Sequence, residues 1–373
     1  MTRSRRDVTA LVMVRHGQST FNAARRFQGC SDQAELTPLG RATAAACLPT
    51  LRSHPFDVIL VSPLQRARQT ADEIVRVIRG TAAAVPPVLV EPLLREIDIP
   101  QWEGLEFTAI RTLFPEQFRC WEASPHLLEV PVGPNVAGSE TVRPVDRLFE
   151  QCRSFLRSLQ ERYAGQRVLA VTHAGTIRAL TATALGSPQD RFGLLQQSNG
   201  GVSALHFGAR GRGPAEVRCL NRTSDATGLP KVKGARRGLR LVLNTGGREW
   251  PNVPPLVVPG SAVSVEHLLR GSGTGVEESE ELVTAGASIR EEQLREFLSG
   301  LFGLAPDAAA RFHPDPGAFT VLHYAGSGKL PVLQAMNAGR RVWNSAPRTA
   351  RTPTARRERT TLGLASVVQT SQA

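Results

Sequence analysis

The sequence predicts an α/β protein: a three-layer α/β/α sandwich around a mostly parallel sheet, followed by a truncated, degenerate second copy of the same fold. Three observations predict it. Apolar, β-branched runs alternate with helical patterns through the first half of the 373 residues, as in parallel strands joined by crossover helices. Three of those runs end in polar residues: Leu11-Val12-Met13-Val14 enters Arg15-His16-Gly17, Val58-Ile59-Leu60-Val61 enters Ser62-Pro63-Leu64-Gln65-Arg66, and Leu169-Ala170-Val171-Thr172 enters His173-Ala174-Gly175. Fragments of this pattern recur, more weakly, beyond residue 238.

Residues 10–14 read as the first strand. Thr37-Pro38 marks a helix start, threonine as N-cap and proline at the first helical position, with an alanine-rich helix to about residue 51. Residues 57–61 form the next strand, and Ser62-Pro63 reads as a second cap opening a helix to about residue 78. A short strand at 88–91, helical patterns at 105–121 and 142–163, a strand at 167–172 and a helix at 174–185 follow. Strands at 202–207 and 216–220 close the series.

Composition narrows the class. No apolar run is long enough for a membrane span, and the short arm before the first strand lacks the apolar stretch of a signal peptide. The five cysteines are scattered, none in a CxxC pair, which fits reduced thiols in a cytoplasmic protein. The formal charge of +12 would suit a nucleic-acid binder, but seven arginines against one acid lie in residues 338–373 and supply half of it. That Thr-, Ala- and Pro-rich tail is expected to be disordered and solvated, so a nucleic-acid partner is not indicated.

Ligands of parallel α/β sheets bind at the carboxyl ends of the strands. His16, Arg15, Arg66 and His173 should therefore converge on one crevice near a helix N-terminus. Helix N-termini favour anions, and arginine forks match phosphate oxygens. The expected ligand is a phosphoryl group. A lone histidine after a strand is usually structural, but that reading does not account for two of them with two arginines, all at strand ends. No metal or other cofactor is required, and the other six histidines show no ligand spacing.

These residues carry a family resemblance. Arg15-His16-Gly17 with Ser19, Phe21 and Asn22 resembles the RHG signature of the histidine phosphatase, or phosphoglycerate mutase-like, superfamily. Ser62 to Ala71 is similar to its second motif, and Leu94-Arg95-Glu96 followed by Trp102-Glu103-Gly104 to its acid-bearing loop. Gly138-Ser139-Glu140-Thr141 resembles its Gly-Glu segment with a serine inserted, and Val171 to Gly175 its second-histidine motif. The segments from Asp98 to Gly104 and from Leu195 to Ser203 narrow the resemblance to two-domain cyanobacterial and plant members related to 2-carboxyarabinitol-1-phosphate phosphatase. The resemblance implies that His16 is a nucleophile forming a phosphohistidine, that Glu96 is the proton donor, and that His173, as imidazolium, joins Arg15 and Arg66 in offsetting charge on the phosphoryl oxygens. Asn22 either adds a phosphate contact or caps a turn.

The second half aligns loosely with the first. Leu241-Val242-Leu243 runs into Thr245-Gly246-Gly247 where Arg15-His16-Gly17 would stand, and Asn252 matches Asn22. Val283-Thr284 leading to Ser288-Ile289-Arg290 echoes Val171-Thr172 leading to Thr176-Ile177-Arg178. Arg311-Phe312, Gly317, His323 and Asn337 echo Arg191-Phe192, Gly200, His206 and Asn221. The expected organisation is an arm (1–9), a catalytic histidine phosphatase domain (10–222), a linker (223–238), a degenerate partial repeat (239–337) and the tail (338–373). Lacking catalytic residues, the repeat would pack on the first domain or form a homodimer surface.

Three functions follow: a phosphatase acting on a small phosphorylated metabolite of sugar phosphate or phosphoglycerate type, a phosphoglycerate mutase-type transferase, and a non-catalytic interaction protein. A mutase must hold a doubly phosphorylated intermediate, and the segment between Glu96 and Glu140 offers only Arg111 and Arg119 as cations. The phosphatase is preferred.

Overall fold

In the computed structural model the apolar runs become strands of one sheet. The structure describes residues 8–47, 55–80, 84–132, 140–208, 213–224, 229–231, 237–246, 269, 281–326 and 329–339. Residues 1–7 of the expected arm, 340–373 of the expected tail, most of the linker, Ser139 and Asn252 lie outside them. No helix among the described residues is long and apolar enough to cross a membrane.

Strands β1 (Thr9–Arg15), β2 (Val58–Val61) and β3 (Val88–Val90) are joined by β6 (Arg167–Thr172), β7 (Val202–Phe207) and β8 (Glu216–Arg222), while β4 (Val130–Pro131) and β5 (Thr141–Val142) form a separate hairpin. The central strands β1, β6, β2 and β3 are all parallel, and β7 and β8 continue antiparallel from β1. Every residue of β1, β2 and β6 is buried, which explains their unbroken apolar runs: a sheet covered on both faces has no solvent side to alternate with.

Alternation decides which layer each residue feeds. Leu11 and Met13 share a core with Leu148 of α6 (Pro144–Arg162) and Ile177 of α7 (Ala174–Leu185). Val12 and Val14 share the other with Ala67, Ala71 and Ile74 of α3 (Gln65–Arg79). The remaining first-half helices are α1 (Thr20–Ala23), α2 (Pro38–Ala46), α4 (Phe107–Leu113) and α5 (Pro115–Ala123). Each fully buried aliphatic side chain of these layers contributes about 1.5–3 kcal/mol.

Thr37 caps α2 as expected, its Oγ1 accepting from the Gly40 amide at 3.0 Å. Three expectations are corrected. Helix α3 begins at Gln65 behind Leu64, without a side-chain cap, and the Ser62 hydroxyl lies 2.7 Å from His173 Nε2 and accepts from the Leu64 amide at 3.4 Å, ahead of the first turn. The helix expected over 105–121 breaks at Phe114, because Pro115 lacks an amide hydrogen and drives the residue before it out of helical geometry. The one expected over 142–163 starts at Pro144, Val142 being in β5.

The second half contributes β9 (Gly238–Asn244), β10 (Leu282–Ser288), α8 (Glu291–Leu301), β11 (Phe319–Tyr324) and β12 (Val332–Ala338). Their pairing repeats that of the first half. Leu11 lies between Val168, parallel, and Leu205, antiparallel; Leu241 lies between Ala285, parallel, and Leu322, antiparallel. In this register Thr245 and Gly246 stand where Arg15 and His16 stand. Two other sequence matches are corrected. Ser288 ends a strand while Thr176 lies in a helix, and Arg290, not a histidine, occupies the N-cap that His173 holds in the first half. Phe312, whose bridge to Val217 mirrors that of Leu195 to Leu333, corresponds to Leu195 rather than to Phe192. Strands β8 and β12 pair antiparallel at Leu220 and Met336, so both halves share one ten-stranded sheet.

Candidate active site

The carboxyl ends of β1, β6 and β2 bring Arg15, His16, His173 and the first turn of α3 together. The loop after β1 is held close to α2 by two glycines. A Cβ on Gly17 would lie 2.2 Å from the Gly40 carbonyl oxygen, and one on Gly40 would lie 2.0 Å from that of Gln18.

His16 Nδ1 lies 2.7 Å from the Gly17 carbonyl oxygen. A carbonyl only accepts, so Nδ1 carries the hydrogen and Nε2 keeps the lone pair. The His173 ring is 5.2 Å away, its Nε2 2.7 Å from the Ser62 hydroxyl. Burial, then the charges of Arg66, His16 and Arg15, push the His173 pKa well below its usual value. Without a bound anion the surroundings thus favour neutral His173, and the expected imidazolium requires added negative charge.

Arg66 is fully buried, Nη1 donating to the Ser31 carbonyl at 2.8 Å and Nη2 to that of Gly29 at 2.7 Å. Arg15 Nη1 donates to the Gln197 carbonyl at 2.8 Å. Burial pushes the Arg15 pKa down to about 10, with Glu96 opposing and Arg178 and Arg66 reinforcing the fall. Arg15 Nε, Arg66 Nε and His173 Nδ1 are buried and find no partner among the described residues. Such orphaned groups are costly unless something satisfies them.

Glu96 sits where the sequence analysis expected phosphate. Its carboxylate covers the N-terminus of α7, accepting from the Gly175 amide at 3.0 Å and the Thr176 amide at 3.2 Å. Asn22 is a capping residue: its Oδ1 accepts from the Ser19 amide at 3.3 Å and from Asn199 Nδ2 at 2.9 Å. Arg15, His16, Arg66, Glu96 and His173 are near enough to act on one another through charge or ring contact, and Asn22 is tied to the His16 loop through Asn199.

Other contributors carried no assigned role at the site in the sequence. Asn199 Nδ2 also donates to the His16 and Gly17 carbonyls, each at 3.1 Å. Ser62 orients His173, and Arg178 ties the Leu195 carbonyl down at 2.6 Å. The one signal was position: Ser62 and Asn199 lie inside segments already singled out, but their partners are remote in sequence. Trp102 is structural, stacking edge-on against Phe27 and Trp121. A cavity of about 310 Å³ opens beside Glu96, lined by Cys30, Arg95, Asp98, Arg147 and Gln151 among others. Among the described residues no group of three or more His, Cys, Asp or Glu side chains is placed to hold a metal.

Two histidines and Arg15 at parallel strand ends, with a second buried arginine in the first turn of α3, agree with a family model: residues 11–220 match the histidine phosphatase superfamily (branch 1). The chain belongs to the histidine phosphatase superfamily. Among curated members it is 33% identical over 228 residues to a probable 2-carboxy-D-arabinitol-1-phosphatase of Arabidopsis thaliana, covering 61% of this chain and 44% of that one. To the 2-carboxy-D-arabinitol-1-phosphatase of Triticum aestivum it is 33% identical over 241 residues, covering 64% and 46%. To phosphoserine phosphatase 1 of Hydrogenobacter thermophilus it is 30% identical over 200 residues, covering 54% and 87%. The chain thus spans just under half the length of the two plant relatives.

Proposed function

We propose that this superfamily member is a phosphatase that hydrolyses a small phosphorylated metabolite through a phosphohistidine on His16. The observation that carries the reading is the set of three orphaned buried nitrogens, Arg15 Nε, Arg66 Nε and His173 Nδ1, around a histidine whose tautomer leaves Nε2 nucleophilic. Phosphoryl oxygens would satisfy those nitrogens, and their charge would raise the His173 pKa towards the protonated donor. His16 Nε2 attacks phosphorus and the ester P–O bond breaks. Glu96 gives its proton to the leaving oxygen, then takes one from the water that releases phosphate. Its Oε2 accepts from one amide only and keeps a lone pair for that proton. Asn22 Nδ2 supplies a further phosphate contact.

Two features bear on substrate. Arg95 and Arg147 line the cavity beside Glu96 and are unpaired among the described residues, which favours a second acidic group, as on a carboxylated sugar phosphate or phosphoglycerate. The two cations of the segment between Glu96 and Glu140 are occupied: Arg111 lies 5.0 Å from the Phe118 ring centre and 3.6 Å from Glu122, and Arg119 Nε donates to the Pro115 carbonyl. Neither is placed to hold a second phosphate, which favours a phosphatase over a mutase. The domain assignment belongs to the same proposal: catalytic unit 10–222, linker 223–238, partial repeat 239–337.

The test is phosphate release from a panel of sugar and glycolytic phosphates, wild type beside His16→Ala. Release that vanishes in the variant is the expected result. Phosphoryl shuttling on phosphoglycerate without release would establish the mutase instead, and silence in both assays would return the interaction-protein reading.

A further inference from the structure

The loop at 195–201 straps the carboxyl end of β1. Gln197 O holds Arg15, Asn199 Nδ2 holds the His16 and Gly17 carbonyls and Asn22, and the Gly200 amide donates to Arg15 O at 3.0 Å. The strap is fixed from its own half by Asn221 and from the other half by β12. The Gln196 amide donates to Leu333 O at 2.9 Å, and Gln334 Nε2 to Gln196 Oε1 at 3.3 Å. Asn221 makes the central link. Its Oδ1 accepts from the Ser198 amide at 2.6 Å, while its Nδ2 donates to Gln334 O at 2.7 Å and Ser198 Oγ at 3.2 Å. Asn221 holds a left-handed φ of 47°, and a Cβ on Gly201 would come within 2.4 Å of its Oδ1, so the junction is tightly built.

The joint is close to twofold symmetric about Leu220 and Met336. Asn337, at φ 61°, donates to Arg218 O at 2.6 Å and accepts from the Asp315 amide at 2.8 Å. The His313 amide donates to Val217 O at 3.1 Å, as Gln196 does to Leu333. Each half thus braces the other's loop as one subunit of a symmetric dimer would, but only the first half's loop reaches catalytic residues. At the equivalent of His16 the second half has Gly246.

We propose that the second half serves as a built-in partner subunit that positions the Arg15–His16 loop, with Asn221 as the positioning residue that transmits the constraint from β12. This rests on the phosphatase reading for its activity readout, but not for its binding readout. A displacement of about 1 Å at reacting groups costs about 100-fold in rate, so the brace has leverage without touching substrate.

The near-symmetric asparagines provide the test. In the full-length chain, Asn221→Asp and Asn337→Asp each keep the acceptor and lose the donor at equivalent joints. Hydrolysis of para-nitrophenyl phosphate, orthovanadate affinity and thermal stability are measured for both from pH 5 to 8. Asn221→Asp should lower kcat and vanadate affinity at least tenfold at pH 8, while Asn337→Asp stays within twofold of wild type at comparable Tm. The ratio of Asn221→Asp to wild-type activity should rise as pH falls, because a protonated buried carboxyl donates to Gln334 O again. If both variants retain activity and affinity, or lose them together in step with Tm, the proposal is overturned. If the wild type binds vanadate but hydrolyses nothing, the phosphatase reading fails alone and the affinities still decide the positioning role. A wild type that binds no vanadate overturns both.

Discussion

At the scale of single residues, His16→Ala is expected to lower phosphate release by about 10³-fold or more, because it removes the group to which the phosphoryl would bond. Rapid-quench trapping of an acid-labile phosphoenzyme in the wild type but not the variant checks the role directly. Gly175 is the subtler position. A Cβ there would lie 2.4 Å from Glu96 Oε1, so Gly175→Ala should push the carboxylate off the α7 N-terminus. The expected outcome is a fall in kcat of about 10–100-fold with little change in Tm, read from steady-state kinetics beside a thermal melt. Equal loss of both would mean that Glu96 acts there as a structural cap. None of this could be read from residue types: Glu96 was legible as an acid, but its partners Gly175 and Thr176 lie about eighty residues away.

At the scale of elements, caps and proline positions were local and therefore legible. Thr37-Pro38 starts a helix wherever the chain places it, and Pro115 divides α4 from α5 by the chemistry of its own ring. Ser62 was misread because a serine before proline looks the same whether it caps a helix or, as here, bonds His173 across the sheet. The contact of α2 with the catalytic loop is backbone against backbone, and backbone cannot move aside as a flexible side chain does. Gly40→Ala is therefore expected to destabilise the protein by about 3 kcal/mol or more, measured as a lowered urea midpoint; a change below 1 kcal/mol would show that the loop and helix can separate without cost.

At the scale of the whole molecule, one sheet and the core on one of its faces unite both halves: Leu241 and Leu298 belong to the same buried cluster as Leu11 and Ile177. Chemical denaturation should therefore give a single transition with coincident probes, and two separated transitions would show that the halves are independent domains. Acid should destabilise the protein through its buried histidines. Burial holds the His206 pKa down to about 3, and that of His173 well below its usual value. Below the unfolded value near 6.5 the unfolded chain binds protons that the folded protein refuses. Stability should then fall as pH drops towards each folded value, by about 1.4 kcal/mol per pH unit for each histidine. Replacing His206 with asparagine should flatten the slope between about pH 6 and 4 by one such contribution; an unchanged slope would refute the assignment.

The sequence by itself determined which segments become buried parallel strands and which family the chain belongs to, and it raised the expectation that two histidines and two arginines meet and that the segment after residue 238 is a partial repeat. Those features are written in periodicity and short motifs, which act over a few residues. The tertiary structure decided the rest: that burial and nearby charge push the His173 pKa down, that Glu96 covers a helix N-terminus, and that β8 and β12 fuse the halves into one sheet. A pKa depends on the charges and burial that distant segments bring, and a strand's edge is unpaired until its neighbour arrives. Asn221 shows the difference most plainly: a polar residue at the end of a strand in sequence, it is in the folded protein the link between one half's edge strand and the other's loop.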